Sequence, residues 1–362
     1  MSSNTHESKP RSILVMLATG KQGSSVVRAL ANANALAAAA SQPHPWYILA
    51  QTRNPPSSPK AGSIFGLPGV HAVKGLPTNP AALFSAANLP KDTPLPIWGV
   101  FSVQQSADNP KSMPGEIFES KKLADAAKEH GVKHFVYSSV QFGGMEGRKT
   151  HVPHFESKRE IEEYIEKTHS TLPTTILRPV TFMDQLCLAE LAHANSHAKP
   201  PSDFASRLTR HIFFTQLKPG KRLQFIAVSD IGVMAAIVFA HPEVYINPLR
   251  EGTYLDSNGR FKDVDLAGDE LSGKDMADVW REVFANNHTG YDREFKAQSF
   301  VMPFLSKLVG RGMKEVRLMF EFFNEPGFNT DIPALRVIHP KLKDFQTFLK
   351  QEVLLEGSVD IS

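Results

Sequence analysis

The first residues that suggest chemistry are the glycines of a short turn near the start of the chain. An apolar run at 13–17 leads into residues 18–23 (ATGKQG), and an alanine-rich helical pattern follows at 24–39. A strand, a glycine turn and a helix in this order place backbone N–H groups and the positive end of a helix dipole around a phosphate. A turn that needs glycine only for its own geometry is the alternative. We predict that the pyrophosphate of a dinucleotide contacts Thr19, Gly20, Lys21, Gln22 and Gly23.

A second candidate side chain follows the next strand pattern. Residues 46–52 (WYILAQT) have strand length, and Arg53 comes directly after them. In a dinucleotide-binding sheet the end of the second strand meets the adenosine ribose, where a carboxylate hydrogen-bonds the 2′-hydroxyl of NAD. Arg53 instead offers a guanidinium that suits a 2′-phosphate, which favours NADP(H) over NAD(H). A surface arginine that points into solvent is the alternative.

Two further candidates, His154 and Lys158, stand four residues apart at the start of a predicted helix and therefore share one face of it. A histidine can donate a proton near neutral pH, so we take His154 and Lys158 as candidate catalytic residues. Two alternatives stay open. Lys158 anchors a cofactor without taking part in the chemistry, or His154 is a capping or surface residue. His151 lies three residues before His154, but no third ligand is evident, and we predict no metal site.

The elements that must position these residues alternate regularly along the chain. Further strand patterns at 70–73, 97–103, 134–140 and 174–179 are separated by helical patterns or loops. This alternation predicts a parallel sheet with helices on both faces, and the ligand crevice of such a sheet lies at the carboxyl ends of the strands. Ser102, near the end of the fourth strand, is counted with the predicted cofactor contacts.

Composition excludes several classes of protein. The chain has 362 residues and a net charge of +3, without a block of five like charges, so direct nucleic-acid binding is not indicated. The one cysteine, Cys187, excludes a disulfide framework and a zinc–thiolate cluster. No apolar run approaches the roughly 18 residues of a membrane span, and residues 1–11 lack the apolar core of a signal peptide. We predict a cytoplasmic protein, with a nuclear location left open.

The change in composition and residue pattern after the sixth strand predicts two lobes. We assign residues 1–10 to a disordered lead and residues 11–185 to a dinucleotide-binding domain, to which residues 223–260 return. Residues 186–222 and 261–362 form a substrate or partner lobe, which is rich in helical and aromatic patterns.

Nearly the whole chain resembles the NmrA-like group of atypical short-chain dehydrogenases. The segments that carry the resemblance are 18–23 (ATGKQG), 52–54 (TRN), 99–103 (GVFSV), 131–139 (GVKHFVYSS), 151–158 (HVPHFESK), 177–179 (LRP), 228–232 (VSDIG), 266–273 (LAGDELSG) and 324–328 (NEPGF). The resemblance implies a Rossmann-type doubly wound sheet that binds NADP(H), with a smaller, mostly helical second lobe. It places cofactor contacts on residues 19–23, Arg53, Lys158 and residues 181–184, of which we single out Thr181 and Phe182.

This chain departs from the family pattern at three positions. Leu17 stands where the first glycine is usual, and Leu76 follows Gly75 where an acidic residue is usual. In short-chain dehydrogenases the residue four before the lysine is a tyrosine that donates the proton, whereas this chain has His154. The family contains both reductases and NADP(H) sensors without catalytic activity, and the missing tyrosine is shared with the sensors.

The sequence therefore predicts an NADPH-dependent reductase of a small, largely apolar carbonyl, imine or quinone-type substrate. The alternative is a non-catalytic NADP(H) redox sensor that regulates a transcription factor by protein–protein contact. The expected partner is a small-molecule substrate or a regulatory protein. The sequence makes no prediction of the oligomeric state.

Overall fold

The computed structural model describes most of the chain. The described residues are 9–53, 63–104, 113–187, 191, 209–210, 212–213, 216–247, 253–285 and 310–355. Their strands form two sheets. The strands are β1 Arg11–Val15, β2 Trp46–Thr52, β3 Val70–Lys74, β4 Gly99–Ser102, β5 His134–Ser138, β6 Thr174–Pro179, β7 Thr181–Phe182, β8 Leu223–Ile226, β9 Lys262–Leu266 and β10 Asp269–Leu271.

The helices alternate with the strands over the first half of the chain. They are α1 Lys21–Ala39, α2 Ala81–Phe84, α3 Met113–Glu129, α4 Pro153–Thr168, α5 Val228–Ala240, α6 Pro242–Tyr245, α7 Gly273–Phe284, α8 Gly310–Asn324, α9 Ile332–Ile338 and α10 Phe345–Phe348. Short 3₁₀ turns occur at Ser63–Gly66 and Met183–Gln185, and a π-helical turn follows α10 at Leu349–Val353.

Within the described residues the larger sheet has seven strands in the order β3-β2-β1-β4-β5-β6-β9. Neighbouring strands from β3 to β6 pair in parallel. The strand order reverses between β1 and β4, and a ligand crevice forms where the carboxyl ends of two such strands diverge. The predicted Rossmann-type doubly wound sheet is confirmed, and the turn after β1 lies at this reversal.

The inner strands are buried because both faces of the sheet carry apolar side chains. All seven residues of β2 are buried, as are all those of β4 and β5. Leu14 of β1 belongs to a core cluster with Leu123 of α3 and Ile161 of α4. On the other face, a Cβ added to Gly99 would lie 2.7 Å from Ile13 Cδ1 and 3.0 Å from Phe239 of α5. This two-sided burial explains the continuous apolar runs by which the strands were predicted.

The chain divides into two compact units. The first contains Met1–Val140, Glu156–Arg178 and Ile231–Val264, and the second contains Gln141–Phe155, Pro179–Asp230 and Asp265–Ser362. These bounds differ from the predicted domains, which placed residues 141–155, 179–185 and 223–230 with the dinucleotide-binding part and residues 261–264 with the other lobe. The reasons lie in strand pairing, since β8 pairs with β7 and β10 in the smaller sheet, whereas β9 lies beside β6 in the larger one. Much of the predicted inserted segment, 186–222, lies outside the described residues.

The second unit combines the smaller sheet with aromatic helices. The sheet has the order β10-β8-β7. Phe155 meets Phe322 of α8 edge to face, with ring centroids 4.9 Å apart, and Phe322 lies 5.4 Å from Phe328. Phe213 makes a similar edge contact of 5.1 Å with Phe320. These contacts account for the aromatic spacing of α8, whose phenylalanines pack within this unit.

Candidate functional site

The turn after β1 is tied to β2 and to the end of β3 through Gln51 of β2. The N–H of Leu17 donates to Gln51 Oε1 at 2.9 Å, and the N–H of Ala18 donates to the Gln51 carbonyl at 3.2 Å. Gln51 Nε2 in turn donates to the carbonyl of Gly75 at 2.7 Å. The buried Gln51 amide thereby fixes the turn to the carboxyl ends of β2 and β3.

Leu17 has left-handed backbone conformation, with φ of 45°. A residue with a side chain pays about 1–2 kcal/mol for this conformation, which glycine adopts freely. The carbonyl of Leu17 accepts the N–H of Gly20 at 2.8 Å. The chain therefore keeps a tight turn at the position where the sequence lacks the usual glycine.

The two glycines that follow allow α1 to begin directly against this turn. A Cβ at Gly23 would lie 2.2 Å from the carbonyl oxygen of Leu17 and 2.7 Å from that of Met16. A Cβ at Gly20 would lie 3.2 Å from the Leu17 oxygen. Gly23 is thus required for close packing of helix on turn, whereas the restriction at Gly20 is milder.

The start of α1 can receive an anion. Within this fully described helix, the first turn has no acidic residue, and the N-cap residue is Gly20, which has no side chain to cap the helix. Thr19, Gly20 and Lys21 are exposed, and Gln22 is half-buried. Backbone N–H groups at a helix start without a local carboxylate suit a phosphate.

Arg53 lies exposed immediately after β2. Thr52, the last residue of β2, is buried, and its carbonyl accepts the N–H of Gly75 at 3.1 Å. Burial raises the pKa of Glu119 on α3, and the positive charge of Arg53 opposes that rise. Glu119 is thus an acidic neighbour of Arg53 that sequence reasoning missed, because it lies on a helix far along the chain.

Two serines at strand ends occupy different environments. Ser138, at the end of β5, donates its hydroxyl to Gln22 Oε1 at 2.6 Å and so joins β5 to the first turn of α1. Ser102, at the end of β4, is fully buried and accepts a hydrogen bond from Gln104 Nε2 at 3.1 Å. The Ser102 hydroxyl is therefore already used inside the first unit, and its contact with a cofactor stays a prediction.

Lys158 forms a buried ion pair in the first unit. Its Nζ lies 2.6 Å from Glu116 Oε1 of α3 and donates to the carbonyl of Ser138 at 3.3 Å. The Nζ also lies 5.5 Å from the centre of the Tyr137 ring. Ser138 contacts both Gln22 and Lys158, so the structure brings two of the predicted cofactor residues to the end of one strand.

His154 is placed in the second unit, where it pairs with a carboxylate. Its Nδ1 lies 2.9 Å from Glu315 Oε1 of α8, and its ring meets Phe155 edge to face at 4.7 Å. A carboxylate at Nδ1 holds the proton on that nitrogen and orients the ring. Glu315 was not predicted, because no sequence pattern connects residues that lie 161 positions apart.

Thr181 and Phe182 form β7 in the second unit and are half-buried. They pair in parallel with Phe225 and Ile226 of β8. Among the described residues, the buried Thr181 hydroxyl has no hydrogen-bond partner. The N–H of Val228 donates to Asp184 Oδ2 at 3.1 Å, so Asp184 caps the start of α5.

The sequence profile of the NmrA-like family matches residues 9–338. The chain belongs to the NmrA-like family. The predicted resemblance is thereby confirmed. The family is one of NAD(P)-binding oxidoreductases.

Two curated relatives of this NmrA-like protein are oxidoreductases by name. FrzB of Cladobotryum sp., an oxidoreductase with an NmrA-like family domain, is 28% identical over 240 residues, which are 64% of this chain and 66% of that protein. The corresponding protein malD of Malbranchea aurantiaca is 32% identical over 178 residues, which are 48% of either protein. The matches thus span just under two thirds of one relative and about half of the other.

Solved structures of the same fold include a regulator and a reductase. NmrA, a negative transcriptional regulator solved in complex with NADP, superposes with a TM-score of 0.60 at 18% identity, over 97% of this chain and 98% of that chain. It has also been solved in complex with NAD. The triphenylmethane reductase of Citrobacter sp. complexed with NADP(H) gives a TM-score of 0.58 at 16% identity, over 95% of this chain and 99% of that chain. At these identities the likeness shows the fold.

Two further observations concern the described part of the NmrA-like chain. No group of three or more His, Cys, Asp or Glu side chains there is arranged to hold a metal ion. In the same part, no helix is long and apolar enough to cross a membrane.

Proposed function

We propose that this NmrA-like protein binds NADP(H) and reduces a small, largely apolar carbonyl, imine or quinone-type substrate. The observation that carries the cofactor assignment is the pairing of an acid-free start of α1 with the exposed Arg53 at the end of β2. Both suit phosphates, and a carboxylate that would favour NAD is absent from residues 51–53. The names of the two curated relatives support the oxidoreductase assignment.

In this proposal the first unit binds and orients the cofactor. Backbone N–H groups of residues 20–23 bind the pyrophosphate, and the Arg53 guanidinium binds the 2′-phosphate. Lys158 donates a hydrogen bond to the nicotinamide ribose. When bound, NADPH supplies the hydride for the reduction.

The proton comes from His154 Nε2 or from water. In this proposal Glu315 orients the ring through its contact with Nδ1, and His154 donates from Nε2. Phe182, half-buried in β7, contributes an apolar surface to the substrate site. His154 and Glu315 thereby take the place of the missing tyrosine.

The test is a measurement of NADPH oxidation at 340 nm with a panel of quinones, imines and enals. We expect turnover of at least one acceptor, and a loss of about 10²-fold or more in kcat for His154→Gln if this side chain donates the proton. Glu315→Gln, which keeps the size of the side chain, should lower kcat less. If no acceptor is reduced although the protein binds NADPH, the reductase proposal is wrong.

The second candidate function is a redox sensor that binds NADP(H) and regulates a transcription factor by protein contact. The observation in its favour is that a histidine paired with a carboxylate stands where the catalytic tyrosine of a dehydrogenase would be. Micromolar binding of both NADP⁺ and NADPH without turnover of any acceptor would support the sensor over the reductase.

A further inference from the structure

Glu116 of α3 is a deeply buried carboxylate next to Lys158, a predicted cofactor residue. Its side chain is 0% exposed and that of Lys158 is 9% exposed, with 2.6 Å between Oε1 and Nζ. The other carboxylate oxygen, Oε2, accepts the hydroxyl of Ser157 at 3.0 Å. Ser157 and Lys158, which are consecutive residues of α4, therefore both contact the Glu116 carboxylate of α3. A buried carboxylate of this kind balances the charge of the lysine that it contacts.

The contacts of Lys158 leave a hydrogen-bond donor for a ligand. An ammonium group has three N–H donors. In the described structure Nζ donates to the carbonyl of Ser138 at the end of β5 and lies 2.6 Å from Glu116 Oε1. These two contacts account for at most two of the three donors, so at least one remains for a ligand. The same Ser138 donates its hydroxyl to Gln22 in the first turn of α1. Ser138 therefore connects the Lys158 ammonium to the helix start that is proposed to bind pyrophosphate.

We infer that Glu116 is a positioning residue, which fixes the Lys158 ammonium so that an N–H is presented to the nicotinamide ribose. This inference rests on the proposed binding of NADP(H). Since the ammonium charge is already balanced by Glu116, Lys158 acts as a hydrogen-bond donor in a set direction. Without the carboxylate, the flexible lysine stem leaves this direction undefined.

The test compares two ligands that differ in the nicotinamide half. NADPH contains the nicotinamide ribose, whereas adenosine 2′,5′-bisphosphate contains only the adenosine half. For Glu116→Gln we expect an approximately tenfold weaker Kd for NADPH and an unchanged Kd for the bisphosphate, both measured by fluorescence titration. If Glu116 had only a structural role, its substitution would weaken the binding of both ligands together or of neither.

The chain offers a matched control. Lys121 of α3 and Glu160 of α4 form an ion pair of 2.7 Å between the same two helices, with side chains 29% and 45% exposed. Glu160→Gln should leave both affinities unchanged. If Glu116→Gln does not fold, Glu116→Asp keeps the charge but shortens the side chain, and it should weaken NADPH alone by a smaller factor.

The outcomes separate this inference from the proposed function. If the wild-type protein binds neither ligand, the proposed function fails and the inference falls with it. If it binds both, and Lys158→Met weakens NADPH whereas neither Glu116 variant does, the role of Glu116 is wrong and the proposed function stands. Equal weakening of both ligands by the Glu116 variants would also overturn the inference.

Discussion

At the scale of single residues, Arg53 determines the proposed choice between NADP(H) and NAD(H). It is exposed at the end of β2, and its charge acts on Glu119 of α3. A planar guanidinium binds a phosphate through two parallel hydrogen bonds, which gives it an advantage over lysine at such a site.

We therefore expect Arg53→Ala to weaken NADPH binding by about 10- to 100-fold and to leave NADH binding nearly unchanged. The measurement is the ratio of the two Kd values at constant ionic strength. Lys133→Ala is the control, because this exposed lysine precedes β5 and lies at the opposite end of the strands. An unchanged ratio in Arg53→Ala would show that this side chain does not contact the phosphate.

At the scale of elements, the connection that matters most for the proposed site is the turn between β1 and α1. The left-handed Leu17, the Gln51 amide and the glycine at position 23 all serve to bring the helix start against the strand end. Such close packing leaves no space for a side chain at Gly23. Any shift of α1 away from β1 would also move the N–H groups that are proposed to bind the pyrophosphate.

The two glycines should therefore differ in their tolerance of alanine. We expect Gly23→Ala to lower the free energy of unfolding by about 3 kcal/mol or to prevent folding, since its Cβ would lie 2.2 Å from a backbone oxygen. Gly20→Ala, with its 3.2 Å contact, should cost about 1 kcal/mol or less. Urea unfolding followed by circular dichroism measures both, and equal losses would contradict the close packing at Gly23.

At the scale of the whole molecule, 40 basic and 37 acidic residues nearly cancel. Stability near neutral pH therefore depends on individual buried groups more than on net charge. Burial, assisted by the charge of Arg11, lowers the pKa of His134 to about 3, and burial raises that of Glu166 to about 7. His134 Nε2 lies 2.9 Å from Thr175 Oγ1, which holds the neutral ring between β5 and β6.

The sign of the effect of His134 on stability follows from its two pKa values. The unfolded chain binds a proton on this histidine below about pH 6.5, whereas the folded protein does so only near pH 3. His134 should thus remove about 2 kcal/mol of stability between pH 7.5 and pH 5. Glu166 acts in the opposite direction, so the wild-type protein shows only the sum.

His134→Gln isolates this contribution, because glutamine does not titrate. We expect the urea midpoint of His134→Gln to rise relative to that of the wild type as the pH is lowered from 7.5 to 5. His241, whose side chain is 58% exposed, provides the control variant His241→Gln, which should follow the wild type. If the stabilities of all three proteins change in parallel with pH, His134 is not held neutral by burial.

The larger sheet could be predicted from the sequence because each of its inner strands is indicated by an apolar run of consecutive residues. Strands β1 to β6 were evident from apolar runs, and Arg53 was placed correctly at the end of β2 by its neighbours in the chain. The edge strand β9 was less clear, since two of its five residues are exposed and its apolar pattern is weak. The unit boundaries also differ, because they depend on which strands pair in the smaller sheet.

By itself, the sequence determined that the chain has a glycine turn between its first strand and first helix, a doubly wound sheet and a cationic side chain at the end of β2. Only the tertiary structure decided which carboxylates meet the candidate catalytic residues. Lys158 pairs with Glu116 and His154 pairs with Glu315, across 42 and 161 positions of the chain respectively. The sequence does not show which of the 37 acidic residues will be buried next to a cation. Their roles differ because the packing of α3, α4 and α8 buries particular carboxylates against particular cations, and no local pattern encodes that choice.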